Sequence, residues 1–277
     1  MAPRPPAPAW HPARWRQHGT PPLPPLALDW GAREEARVAA DFRRDPARAG
    51  LVWDVLRGVV SARISETGRP ALDITDVGGG TGVLAVQFAA LGHNVTVVDA
   101  SPDALAAAQR RAAEADAHLA TVQGDAGSLD SVVGAAAADL VICHNVLEYV
   151  DSPEDAMAAI ARVLRPAATV SVLGANAVAA VLHRALAGRF AEARLLLAGG
   201  GTTPRRFTLP GLVGLIEGAG LRPGHAHGLR IFTGLVPGAL LDGDAGTAEA
   251  LRALEEAAAA TPPLRDIAAQ LHVLGHR

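Results

Sequence analysis

The stretch Asp76-Val77-Gly78-Gly79-Gly80-Thr81-Gly82 closes one apolar run and opens another. Glycines at this spacing let the chain turn tightly and bring bare backbone against a ligand. Such a turn marks a site for a nucleotide-type cofactor. Two carboxylates follow at matching places. Asp99 ends the β-branched run Asn94-Val95-Thr96-Val97-Val98, where a ribose diol can be held by accepted hydrogen bonds. Asp125 follows Gly124 after a third run, Leu119 to Gln123. A fourth run, Asp139 to Asn145, includes His144 and leads into Val146-Leu147-Glu148-Tyr149-Val150.

These groups need strands to end beneath them and helices to lead away. Ala71 to Val77 reads as a short buried strand, and Val83 to Leu91 as a helix stopped by Gly92. Ser101-Pro102-Asp103 and Ser152-Pro153-Glu154 are helix starts, so acids nearby also have a plain capping use. A fifth strand is expected at Thr169 to Leu173, after a helix from Asp155 to Leu164. Beyond it lie a helical insertion, a helix near Leu209 to Ala219, a strand near Leu229 to Phe232, a helix from Thr247 to Ala260 and a last strand near Ala269 to Leu274. Every candidate residue of the first four strands stands at a strand's C-terminal end, where open α/β sheets bind ligands.

The dinucleotide fingerprint requires a small third residue, and counting from Gly78 that place holds branched Val83. The form present, acidic-x-G-x-G-x-G, resembles motif I of the class I S-adenosylmethionine (SAM) methyltransferases. The resemblance implies a Rossmann-like α/β fold with a seven-stranded, mostly parallel sheet, the last strand antiparallel, and an N-terminal helical lid. It implies SAM as cofactor and S-adenosylhomocysteine as product. Gly78, Gly79 and Gly80 would then pass under the methionine part, Asp99 would hold the ribose and Asp125 the adenine amino group, with Asp76, Ala100, Gly124 and Ala126 also in the cofactor site. His144 would lie against the cofactor or serve as a general base.

A narrower resemblance rests on His144 and Val146 to Val150, Gly174-Ala175-Asn176-Ala177, His183, Gly188-Arg189-Phe190 and Gly228-Leu229-Arg230-Ile231-Phe232. Together these are similar to the bacterial tRNA 5-carboxymethoxyuridine carboxyl methyltransferases and their relatives, from about Arg48 to the C-terminus. By that resemblance Arg48 pairs with the methionine carboxylate, for which a bidentate guanidinium is suited. Arg230 would hold an acidic acceptor, Asn176 would hydrogen-bond it and Tyr149 would shape the pocket. The lysine-rich segment of the tRNA enzymes shrinks here to Leu195 to Gly201 followed by Arg205-Arg206, so the acceptor is either tRNA or a small acidic molecule.

Composition fits one α/β enzyme. The 277 residues can bury a full core, and a net charge of -3 gives no global pull toward nucleic acid. All basic side chains of the Lys/Arg class are arginine. No apolar run reaches membrane-spanning length and no signal-peptide core is present, so no membrane partner and a cytoplasmic location are expected. Lone Cys143 sits in an apolar strand as a small hydrophobe. His225 and His227 share a strand face, but no third ligand motif accompanies them and no metal is expected.

The chain divides into a proline-rich extension, 1–28, and a methyltransferase domain, 29–277. Within the latter, 29–70 is a helical cap drawn on a helix from Glu34 to Ile64, 71–176 the cofactor-binding core, and 177–277 the acceptor-side insertion and final strands. Trp10, Trp15 and Trp30 belong either to an idle extension or to a lid over the site. The expected activity is methyl transfer to an oxygen of an acidic acceptor. A natural-product O- or N-methyltransferase, a non-catalytic SAM-binding relative and a dinucleotide oxidoreductase are the rivals.

Overall fold

The computed structural model describes residues 46–200, 204–236 and 245–277. The extension 1–28 with Trp10 and Trp15, then Trp30, and the helix expected from Glu34 up to residue 45 lie outside the described residues, as does the side chain of Arg48.

Seven strands form one sheet: β1 (Asp73–Val77), β2 (Asn94–Asp99), β3 (Ala120–Gln123), β4 (Ala138–His144), β5 (Leu164–Ala175), β6 (Arg222–Leu229) and β7 (Gln270–His276). Their order is β3-β2-β1-β4-β5-β7-β6. The first five pair in parallel, and β7 runs antiparallel to both β5 and β6. The expected sheet is therefore present. Its central strands are buried on both faces, which is why Leu140, Val141, Ile142 and Cys143 form an unbroken apolar run instead of an alternating one.

Helices α1 (Pro46–Thr67), α2 (Val83–Ala90), α3 (Pro102–Glu114), α4 (Leu129–Val133) and α5 (Pro153–Val163) precede or separate these strands; α6 (Ala177–Leu186), α7 (Phe190–Leu197), α8 (Leu209–Gly218) and α9 (Ala245–Ala258) follow β5. Among the described residues no helix is long and apolar enough to cross a membrane. The start of α5 shows how local sequence sets an element. Ser152 Oγ accepts from Asp155 N at 3.0 Å, Pro153 occupies the first turn, and Ala156, Met157, Ala159, Ile160 and Val163 bury one face. Full burial of Met157 and Ile160 stabilises the fold by about 1.5–3 kcal/mol each.

The described part of the segment expected as a helical cap, α1, packs on the sheet. Val52, Leu56 and Val60 of α1 are buried in the cluster that includes Leu72, Ile74, Phe88, Leu140 and Leu173, so this helix lies along the sheet as part of the core. Near its C-terminal end Arg63 pairs with Asp139 at the start of β4. The C-terminal part of the helix thus lies at the edge where β4 begins. At that edge buried Asp139 accepts from Arg63, Arg69 and Arg165 and from Asp73 N, tying β1, β4 and β5 together.

The strand expected at Leu229 to Phe232 is displaced. β6 ends at Leu229, and Arg230 takes φ 59, in the left-handed region. A Cβ on Gly228 would stand 2.6 Å from Arg265 O and 2.7 Å from Ala268 Cβ, so the chain passes closely beneath the segment before β7. The next amides leave the ladder because a carboxylate, Glu255 of α9, takes them.

Candidate active site

Gly78, Gly80 and Gly82 all have positive φ, at 62, 54 and 69. A Cβ on Gly78 would stand 2.3 Å from Val146 Cγ2, whereas one on Gly80 would meet nothing within 4 Å. The turn is therefore packed below Gly78 and open at Gly80. Asp99 braces it: Oδ2 accepts from Gly80 N at 2.8 Å and Oδ1 from Ser101 N at 2.9 Å. Gly79 lies over Asp76, whose Oδ2 would be 2.7 Å from a Cβ there.

Burial first, and the charge of Asp99 second, push the Asp76 carboxyl up to about 7. Two carboxylates held this close at a strand edge suit a ligand that brings positive charge. Gly124 donates to Asp99 O at 3.2 Å, so the turns after β2 and β3 touch. Asp125 is exposed, with Oδ1 accepting from Gly127 N at 2.7 Å; Ala126 is buried and Ala100 exposed. Asp76, Gly78, Gly79, Gly80, Asp99, Ala100, Gly124, Asp125 and Ala126 thus share one edge of the sheet.

His144 ends β4 and bonds across the sheet. Its Nε2 lies 2.7 Å from Ser171 Oγ, which lies 2.7 Å from His272 Nε2. His272 stacks on His227, with ring centroids 5.5 Å apart. The ring is drawn across the sheet toward β5 and β7. Burial first, then the neighbouring His227, lowers His272 to about 3, so His272 is neutral at physiological pH. Among the described residues no group of three or more His, Cys, Asp or Glu could hold a metal. Burial likewise raises the Cys143 thiol well above its ordinary value and leaves it inert.

Beside the loop after β4 is a cavity of about 320 Å³, lined among others by Tyr149, Asn176, Arg184, Arg206, Arg230 and Gln270. Tyr149 is half exposed, and its N donates to Val146 O at 2.9 Å. Val146 therefore touches the glycine turn on one side while its loop lines the cavity on the other. Asn176 lies at the start of α6, in the wall of this cavity. Its Nδ2 donates to Asp266 O at 2.9 Å and Ala268 O at 2.7 Å, and its Oδ1 accepts from Val178 N at 2.9 Å to cap α6. Being 2% exposed and so engaged, it builds the wall and has no amide hydrogen left for an acceptor. Arg205, counted in the sequence as a phosphate-binding candidate, donates instead to Val150 O at 2.9 Å.

Three residues escaped the sequence reading. Glu255 gathers the turn bearing Arg230, Arg184 lines the cavity from α6, and Gln270 opens β7 at its floor. A glutamate within an alanine-rich helix, a basic residue in a helix and an amide at a strand start carry no local signal of such roles.

Residues 75–172 match a family described as "Methyltransferase domain". The tRNA 5-carboxymethoxyuridine methyltransferase of Escherichia coli K12 is 32% identical over 151 residues, covering 52% of this chain and 54% of that protein. A ubiquinone biosynthesis O-methyltransferase of Cronobacter sakazakii is 31% identical over 137 residues, covering 49% and 52%. The chain spans about half the length of the curated relatives it matches. Among solved structures, the plantazolicin methyltransferase BamL superposes with a TM-score of 0.58 at 13% identity, over 88% of this chain and 90% of that one. A SAM-dependent methyltransferase from Mesorhizobium loti gives 0.51 at 19% identity, over 78% and 96%. These two share the fold.

Proposed function

We propose that this chain, which carries a class I, SAM-dependent methyltransferase domain, transfers a methyl group to an oxygen of an acidic acceptor. The observation that carries the reading is the arrangement around one loop. The glycine turn with Asp76 and Asp99 lies on one side of Val146 to Tyr149, and the arginine-bearing cavity on the other. The residues fit the cofactor: Gly80 leaves room for it, and the two carboxylates suit its positive charge. Asp76 and Gly78 to Gly80 would bind the methionine part, with Arg48 on its carboxylate. Asp99 and Ala100 would bind the ribose, and Gly124, Asp125 and Ala126 the adenine.

SAM supplies a methyl on a sulfonium whose sulfur leaves as a neutral thioether, keeping the electrons of the broken bond. What the chain must do is align and exclude water, and such positioning can lower the barrier by about 7–11 kcal/mol. Arg230 would grip the anionic group and Tyr149 would shape its approach. A carboxylate oxygen attacks as the anion, and no proton need be removed, which agrees with a site whose His144 is bound to Ser171.

Two acceptor classes compete, a small acid and an acid on tRNA. The cavity, small-molecule in size, supports the first; the 32% identical relative's name supports the second. The deciding experiment incubates the protein with methyl-labelled SAM and separated RNA and small-molecule fractions of the source cell. Label in an alkali-labile small-molecule ester is the expected result. Label in tRNA would select the other acceptor, and no transfer to either fraction would refute the activity.

A further inference from the structure

Gln270, in the cavity wall, carries a buried polar atom with no hydrogen-bond partner among the described residues. Gln270 is 8% exposed, and its Nε2 donates to Asn145 Oδ1 at 2.6 Å. Its Oε1 is buried and has no hydrogen-bond partner among the described residues. Asn145 is fixed in turn, at φ 55 at the end of β4, with its N donating to Leu173 O at 2.8 Å. The bond to Asn145 orients the Gln270 amide, leaving its oxygen as a pure acceptor. Buried polar atoms without a partner are rare in folded proteins, and in a cavity wall they mark a place where a ligand atom completes the bond.

The missing partner must be a donor, and the cavity restricts which. Arg184, Arg206 and Arg230 approach it from α6, from the segment before α8 and from the turn after β6. One carboxylate, Glu148, lines the cavity with them and already accepts from Ala175 N, and Arg184 is paired with Glu192, so the lining keeps a positive excess that attracts an anion and disfavours an ammonium. An uncharged donor remains. We propose that the acceptor is a small hydroxy acid, whose anionic group lies toward the arginines while its hydroxyl donates to Gln270 Oε1. This rests on the methyl-acceptor reading of the cavity. The hydroxyl contact is one of recognition, and methyl transfer remains at the anionic oxygen. A cavity of about 320 Å³ matches a molecule of that kind, at the small end of ligand pockets.

Calorimetry on the full chain saturated with S-adenosylhomocysteine tests this, using acids that differ only by a hydroxyl: lactate against propionate, malate against succinate, and the three hydroxybenzoates against benzoate. At least one hydroxy acid should bind roughly 10-fold more tightly than its parent. Gln270→Leu should erase that preference and leave the parent's affinity within about twofold. No preference in the wild-type chain, or a preference that survives in Gln270→Leu, overturns the inference. Should Gln270→Leu fail to fold, Gln270→Glu keeps an acceptor oxygen; it should retain the preference while binding every acid more weakly, and its loss there also counts against the idea. Failure of the wild-type chain to bind S-adenosylhomocysteine strikes the proposed function itself, whereas cofactor binding without hydroxyl preference strikes this inference alone.

Discussion

Glu255 holds in place the turn that begins at Arg230. Its Oε2 accepts from Ile231 N at 2.8 Å, and its Oε1 from Phe232 N at 2.9 Å, Thr233 N at 2.7 Å and Thr233 Oγ1 at 2.7 Å. Three successive amides converge on one buried carboxylate, and Ala269 N donates to Arg230 O at 3.3 Å. The left-handed backbone at Arg230 costs about 1–2 kcal/mol and is sustained by these bonds.

Glu255→Gln keeps one oxygen but sets an amide NH₂ group against backbone donors. Acceptor KM should rise several-fold while SAM affinity and kcat at saturation change little. Glu255→Ala should lower stability by about 1–3 kcal/mol as well. Equal loss of SAM and acceptor binding in Glu255→Gln would identify a general structural role instead of positioning.

Gly78 and Gly80 should respond differently to substitution. Gly78→Ala drives a methyl into Val146 and should lower the melting temperature by several degrees. Gly80→Val meets no protein atom at its Cβ, so it should cost stability only through backbone strain at φ 54 while the cofactor's space is filled. Asp99→Ala frees the amides of Gly80 and Ser101 and removes the ribose partner, weakening SAM by about 1–3 kcal/mol. Calorimetry and thermal melts separate these effects, and unchanged SAM affinity in folded Gly80→Val would sink the cofactor assignment.

Asp76 gives the unliganded protein a pH dependence of definite sign. Its folded pKa, about 7, lies above the ordinary 3.8, so the folded chain holds a proton that the unfolded chain has lost. That contribution to stability is full below about pH 4 and is lost as pH rises through about 7. A cationic ligand prefers the ionised form, so SAM should bind more weakly below pH 7, by up to about tenfold per unit. Asp76→Asn should flatten this profile and raise unliganded stability at pH 8 by on the order of 1–3 kcal/mol. A wild-type SAM affinity independent of pH from 5 to 8 would exclude Asp76 from the cofactor's surroundings.

Arg230 is expected to act on the acceptor alone. Arg230→Lys keeps charge without the planar fork and Arg230→Ala keeps neither, so turnover should fall in that order at nearly constant SAM affinity. Substituting Arg206, which lines the same cavity, should reduce binding of a small acid with only weak salt dependence. A steep fall of activity with salt would favour tRNA, since each phosphate contact contributes about one unit of slope. Full activity of Arg230→Ala would remove it from the acceptor site.

The sheet edge that carries the glycine turn was legible in the chain because its determinants are local. A glycine turn directly after a strand, an acid at the end of the next strand and serine-proline helix starts each act within a few residues, and the buried sheet writes itself as apolar runs. The order of five parallel strands and a returning antiparallel one followed from these together with the resemblance of motif I. Only the tertiary structure decided the side of the cavity. Asn176 reads as a polar group at a strand end, yet carbonyls from residues 266 and 268 claim its amide. Arg230 reads as part of a strand, but Glu255 draws the following amides away and turns the chain. Gln270 meets Asn145 from 125 positions along the chain. Hydrogen bonds between residues so far apart leave no periodicity or spacing to read, because the geometry that joins them exists only once the sheet has closed over the loops.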